Sequence, residues 1–164
     1  MRNQAKTVVS AVGTLAAALL WGACSATPKP AKPLPRDLST EAWYATATTE
    51  LTELTAQAKQ DFKTGKIDAA SVLIQQGETV SARLMSIPRP SLAALEATSD
   101  RDELYGQMLF RNRHYGWARL QFQKNLARWK HSQPQTAASA RRLAAAQLEI
   151  DQCDRAIESQ ARTP

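Results

Sequence analysis

The chain has 164 residues, a formal net charge of +6, 43% hydrophobic and 22% charged residues, close to globular averages, which excludes full disorder and a polytopic membrane protein. At this length one domain is expected, with room for a targeting segment or tail, and three folded domains are excluded. Glycine is scarce at six, aromatics are 6% and alanine is abundant, a composition that suits helices better than sheets with their β-branched and aromatic demand, so an all-α fold is expected.

Residues Met1 to Lys6 carry Arg2 and Lys6 without an acid, and the stretch from Thr7 to Ala23 carries no charge. This order, a basic start followed by an apolar stretch, is that of a signal peptide. Gly22 and Ala23 then stand directly before Cys24. The run Leu20-Trp21-Gly22-Ala23-Cys24 resembles the lipobox of bacterial lipoproteins, although Trp21 occupies the position three before the cysteine where that family usually has Leu. The resemblance implies a signal peptide over 1–23, diacylglyceryl attachment to the Cys24 thiol and cleavage in front of it. Ser25 resembles the outer-membrane sorting pattern of that family. The alternative is an uncleaved anchor helix, for which the uncharged stretch is at the short end of what crosses a hydrocarbon core about 30 Å thick. Removal of residues 1–23 takes Arg2 and Lys6 with it and lowers the net charge from +6 to +4. Acyl chains on Cys24 would tether the domain at the membrane without embedding it.

Four of the eight prolines fall between Ser25 and Arg36, interleaved with Lys29, Lys32 and Arg36. Such a stretch favours extended polyproline geometry and builds no core, so 24–38 is read as a spacer, with a domain over 39–164. Its cations would be solvated or lie on anionic headgroups.

From about Ser39 the pattern is helical. Leu51, Leu54, Ala58 and Phe62 recur at spacings of three and four, and Ile67, Ala70, Ile74, Gly77, Ser81 and Leu84 continue the stripe beyond Gly65, which predicts two helices joined at that glycine. Pro88 and Pro90 end the second. Ser91 and Ser99 are expected to cap a short helix and then a third long one with Leu104, Met108 and Leu109 facing inward. A break at Asn112 to Gly116 precedes a fourth helix, and Pro134 separates it from a fifth running from Gln135 to about Gln160.

Phe62, Gly65, Ile67 and Ala70, and again Gly106, Tyr115, Ala118, Phe122 and Leu126, resemble the positions of tetratricopeptide repeats, in which small residues let paired helices approach and large ones fill the groove beside them. The separation of Ala70 from Ala118 is longer than that family's period and makes residues 85–100 an insertion. Tetratricopeptide-like hairpins and a five-helix bundle both fit.

No histidine, cysteine or carboxylate pair has zinc-ligand spacing, and neither a phosphate-binding glycine loop nor a nucleophile elbow is present. A non-enzymatic protein without metal or cofactor is therefore expected. Glu149, Asp151, Asp154 and Glu158, with Arg155 among them, read as a solvated helix face. Cys153 lies on the stripe Leu143, Ala146, Ile150, Cys153, Ile157 and is expected to be a buried, inert thiol.

Charge placement is uneven. No acid occurs between Leu104 and Leu148, where Arg111, Arg113, Arg119, Lys124, Arg128, Lys130, Arg141 and Arg142 all lie. Either the first helix, with Glu41, Glu50, Glu53 and Asp61, docks against this basic region, or the region meets an anionic partner. On the fourth helix, at about 100° per residue, Tyr115, Ala118, Phe122, Leu126 and Trp129 form one apolar stripe, whereas Trp117, Lys124 and Arg128 lie on the opposite side. Trp117, Gln121, Lys124 and Arg128 are the candidate binding strip, because Trp and Arg dominate interface hot spots; a second buried contact for Trp117 is the competing reading. Together these features predict a lipid-anchored, non-catalytic protein-binding or assembly module on the periplasmic side of a bacterial envelope. The alternative is a binder of an anionic polymer or lipid headgroup through its basic helix. Nucleic acid is discounted by location.

Overall fold

The computed structural model describes residues 37–162. The expected signal peptide, Cys24 and the proline-rich spacer up to Arg36 lie outside the described residues. Within them the fold is all-α: a 3-10 turn at Leu38–Thr40 is followed by α1 (Ala42–Lys63), α2 (Ile67–Met85), α3 (Leu92–Arg111), α4 (Tyr115–His131) and α5 (Ala137–Arg162). None of these helices is long and apolar enough to cross a membrane.

The helix ends follow from local chemistry. Asp37 accepts from the Ser39 amide at 3.0 Å and heads the first turn. Between α1 and α2, Gly65 takes φ +80°; the Lys66 amide reaches the Asp61 carbonyl and the Gly65 amide the Phe62 carbonyl, which is a Schellman closure that satisfies carbonyls left over by the last turn. The same closure recurs between α3 and α4, with His114 donating to Leu109 and Arg113 to Phe110. There Arg113 holds the left-handed position at φ 61°. Ser91 caps α3 by accepting from the Ala94 amide at 3.2 Å. Thr136 and Ser139 exchange amide-to-hydroxyl bonds at 2.8 and 3.1 Å, a capping box with serine in the third position.

One expected element is corrected. Ser99 caps nothing: α3 runs unbroken from Leu92, Ser99 is buried, and the expected insertion 85–100 is the end of α2, the linker and the first half of α3.

The helices pack as two antiparallel hairpins, α1/α2 and α3/α4, with α3 lying against both helices of the first pair and α5 covering α4. Pro35–Pro164 is one compact unit, and the three apolar clusters lie within it. Tyr44, Leu51 and Leu84 pack on Ala94 and Ala97; Ala58, Ala70 and Ile74 pack on Leu104 and Met108; Ala118 and Phe122 pack on Ile150 and Cys153. The register that equates Gly65 with Arg113 extends into the helices, because the buried pair Ala58 and Ala70 corresponds to Gly106 and Ala118, and Ile74 to Phe122. Glycine is required at 106 because an added Cβ would stand 2.5 Å from the Phe122 ring.

Candidate binding surface on the fourth helix

Because α4 lies between α3 and α5, two of its flanks are buried, and its inner arc is wider than an apolar stripe alone indicates. Ala118, Phe122 and Trp129 are buried, and so are Gln121 and Asn125 on the side toward α3.

That side carries a buried ionic network. Asp102 and Arg101, only 3% and 4% exposed, are joined at 2.6 Å. The other Asp102 oxygen accepts from Arg128 Nη2 at 2.7 Å. Arg128 Nη1 also donates to Ser99 Oγ at 3.0 Å and to Asn125 Oδ1, and Asn125 Nδ2 donates to the Ser99 carbonyl at 3.0 Å. Arg101 continues outward, donating through Nε to the Ile74 carbonyl at 3.2 Å and pairing with Glu78 of α2. Among the described residues no buried side-chain nitrogen or oxygen lacks a hydrogen-bond partner. A buried carboxylate between two guanidinium groups is retained only when its lone pairs are satisfied in this way.

The four residues of the expected strip therefore part company. Arg128 is held inside the α3/α4 interface and Gln121 is buried at its edge, accepting from Lys124 Nζ at 3.2 Å. Trp117 and Lys124 are open to solvent, and the second buried contact considered for Trp117 does not occur, since it is 65% exposed. Leu120, which sequence reasoning did not single out, is 46% exposed and lies about 60° from Trp117 around the helix. Beside this face a groove of about 540 Å³ runs between α2 and α4 over α3, with Gln75, Glu78, Arg101, Tyr105, Gln121 and Lys124 among its walls.

The basic segment is only partly neutralised. Arg128 pairs with Asp102, Arg142 with Asp100 and Arg119 with Asp154, so these three cations find their acids on α3 and α5. The first helix does not supply them. Arg111 lies over the Phe62 ring at 5.2 Å. Arg113, Lys124, Lys130 and Arg141 have no carboxylate partner among the described residues, and α4 itself contains no acid.

The opposite side of α3 is acidic. A cavity of about 280 Å³ between α1 and α3 is lined by Lys59, Asp100, Glu103 and Gln107. Gln107 Nε2 donates to Glu103 at 3.2 Å and to Glu149 of α5 at 3.3 Å. Burial pushes Glu149 up to about 7, helped by the Glu103 charge and opposed by the Gln107 bond; burial and then Asp100 raise Glu103. Cys153 is buried and unpaired, and desolvation, with Asp154 and Glu149 adding to it, pushes its thiol up to about 11, which leaves it protonated and unreactive at neutral pH.

Comparison with known proteins gives no match to a family model, a curated protein or a solved structure.

Proposed function

We propose that this chain is a lipid-anchored, non-catalytic binding module of the bacterial envelope, tethered through Cys24 with its helical domain facing the periplasm, where it captures a protein partner on the stacked hairpins. The observation that supports it most is the pairing of two hairpins closed by the same turn with an open groove between their second helices, walled by Gln75, Glu78, Tyr105 and Gln121. Scaffolds of stacked hairpins expose extended surfaces whose shape is fixed by packing elsewhere, which lowers the ordering cost of association.

The reading is tested in two steps. Cys24→Ser is expected to release the processed chain from the membrane fraction; unchanged retention of an uncleaved precursor contradicts the lipid anchor. A photo-crosslinking side chain at Gln75, on the α2 wall of the groove, is expected to trap one defined protein in intact envelopes, and the same side chain at Arg141 is not. Equal crosslinking from the two positions contradicts the surface. A second reading, binding of an anionic polymer or lipid headgroup, is favoured by the acid-free α4 and its two lysines, which have no carboxylate partner among the described residues.

A further inference from the structure

The outer face of α4 combines features that a protein groove alone does not call for. Trp117 and Leu120 are exposed, Lys124 and His131 lie between them around the helix, and Lys130 stands about 80° beyond Leu120, about 140° from Trp117. Neither Lys124 nor Lys130 has a carboxylate partner among the described residues. An exposed indole and a leucine with one lysine between them and a second beyond the leucine suit the boundary between acyl chains and headgroups, where an amphipathic ring is partly desolvated and ammonium groups meet phosphate. A soluble polyanion would use the cations and leave the two apolar side chains in water. The acidic side chains of the α1/α3 cavity line a different side of α3, so orienting α4 toward a negative surface does not bring them to it. The spacer between Cys24 and Asp37 spans at most ~40 Å in polyproline geometry, so an acylated Cys24 keeps the domain within reach of the bilayer and raises the effective concentration of the surface.

We infer that the outer face of α4 docks on anionic phospholipid headgroups, with Trp117 and Leu120 at the acyl boundary and Lys124 and Lys130 on phosphates. The inference rests on the lipid anchor proposed above for its tether, and it fixes which side of the domain faces the membrane.

The test uses the Pro35–Pro164 unit, which contains all three cores and lacks Cys24, so its outcome is independent of acylation. Vesicles of phosphatidylcholine alone and of an equimolar mixture with phosphatidylglycerol are compared by co-sedimentation and tryptophan emission. Partition onto the anionic vesicles is expected to be about 30-fold stronger, since each cation near such a surface contributes about fivefold, and to weaken as salt is raised. A blue shift of emission is expected on binding and is lost in Trp117→Phe. The double variant Lys124→Gln, Lys130→Gln is expected to lose most of the preference with an unchanged melting temperature. Arg141→Gln, on the side of α5 away from its buried stripe, is expected to keep it. Equal partition onto both vesicles, an Arg141→Gln loss as large as that of the lysine variant, or tight binding of soluble polyphosphate without an emission shift overturns the inference, the last in favour of an anionic polymer.

Discussion

The two hairpins close on the same turn and differ in what lies between their helices. In the register that equates Gly65 with Arg113, Leu51, Leu54, Gly77 and Val80 of the first hairpin correspond to Ser99, Asp102, Asn125 and Arg128 of the second. At four positions where the first hairpin places apolar or small residues, the second places its hydrogen-bonded ionic network. Apolar packing is tolerant of sliding, because dispersion and area burial have little direction. The network is directional: Asp102 is satisfied only when α3 and α4 hold one rotation and one height, and Arg101 extends the same constraint to Ile74 and Glu78 of α2. The contrast teaches that one backbone plan supports two interiors, and that the polar one fixes α4 so that its outer face is presented in a defined direction.

The largest way to break this contrast is Asp102→Ala. It removes the buried carboxylate shared by Arg101 and Arg128, and an expected loss of about 3–5 kcal/mol is read by chemical denaturation. Copying the first hairpin with Ser99→Leu, Asp102→Leu and Arg128→Val is expected to recover part of that loss, because apolar replacement of a buried ionic group is often neutral or stabilising; failure to recover any would mean the network carries net stability. Next is Gly106→Ala, whose Cβ meets the Phe122 ring and is expected to cost about 1–3 kcal/mol through overpacking. Adding Phe122→Ile, which reproduces the Ala58 and Ile74 pair of the first hairpin, is expected to restore much of it, as a double-mutant cycle would show.

A smaller effect comes from the acidic side. Glu149, raised to about 7 in the fold, binds its proton more tightly folded than unfolded. Its contribution is therefore fully present below the ordinary carboxylate range and is lost as pH rises toward 7, so the melting temperature should fall over that window. Glu149→Gln is expected to flatten the slope. The smallest effect separates the two turns: Arg113→Gly relieves the left-handed strain that Gly65 avoids and is expected to raise stability by about 0.5–1 kcal/mol.

Much of this was legible in the chain. Helical period marked the stripes of α1 and α2 and that of α5 as far as Cys153, which sat where burial was expected, although Ile157 one turn on is exposed; Gly65 and the prolines marked the helix ends. The network was not legible, since Asp100-Arg101-Asp102-Glu103 reads locally as a solvated run, and only the approach of α4 decides which of the four is enclosed. For the same reason the candidate strip was half resolved. A single-face periodicity assumes one neighbour, whereas α4 has two, so Arg128 and Gln121 fall on the second buried flank while Trp117, at its edge, stays outside.

That division of α4 is tested most directly by thermal melts of two variants of the Pro35–Pro164 unit, Trp117→Ala with Lys124→Gln beside Arg128→Ala. The outer double variant is expected to melt within a few degrees of the parent. Arg128→Ala, which leaves Asp102 short of a buried partner, is expected to melt about 8–15 °C lower, corresponding to a loss of about 2–4 kcal/mol. Equal melting temperatures for the two, or a collapse in the outer variant alone, would contradict an α4 whose inner arc holds the fold and whose outer arc is free to bind.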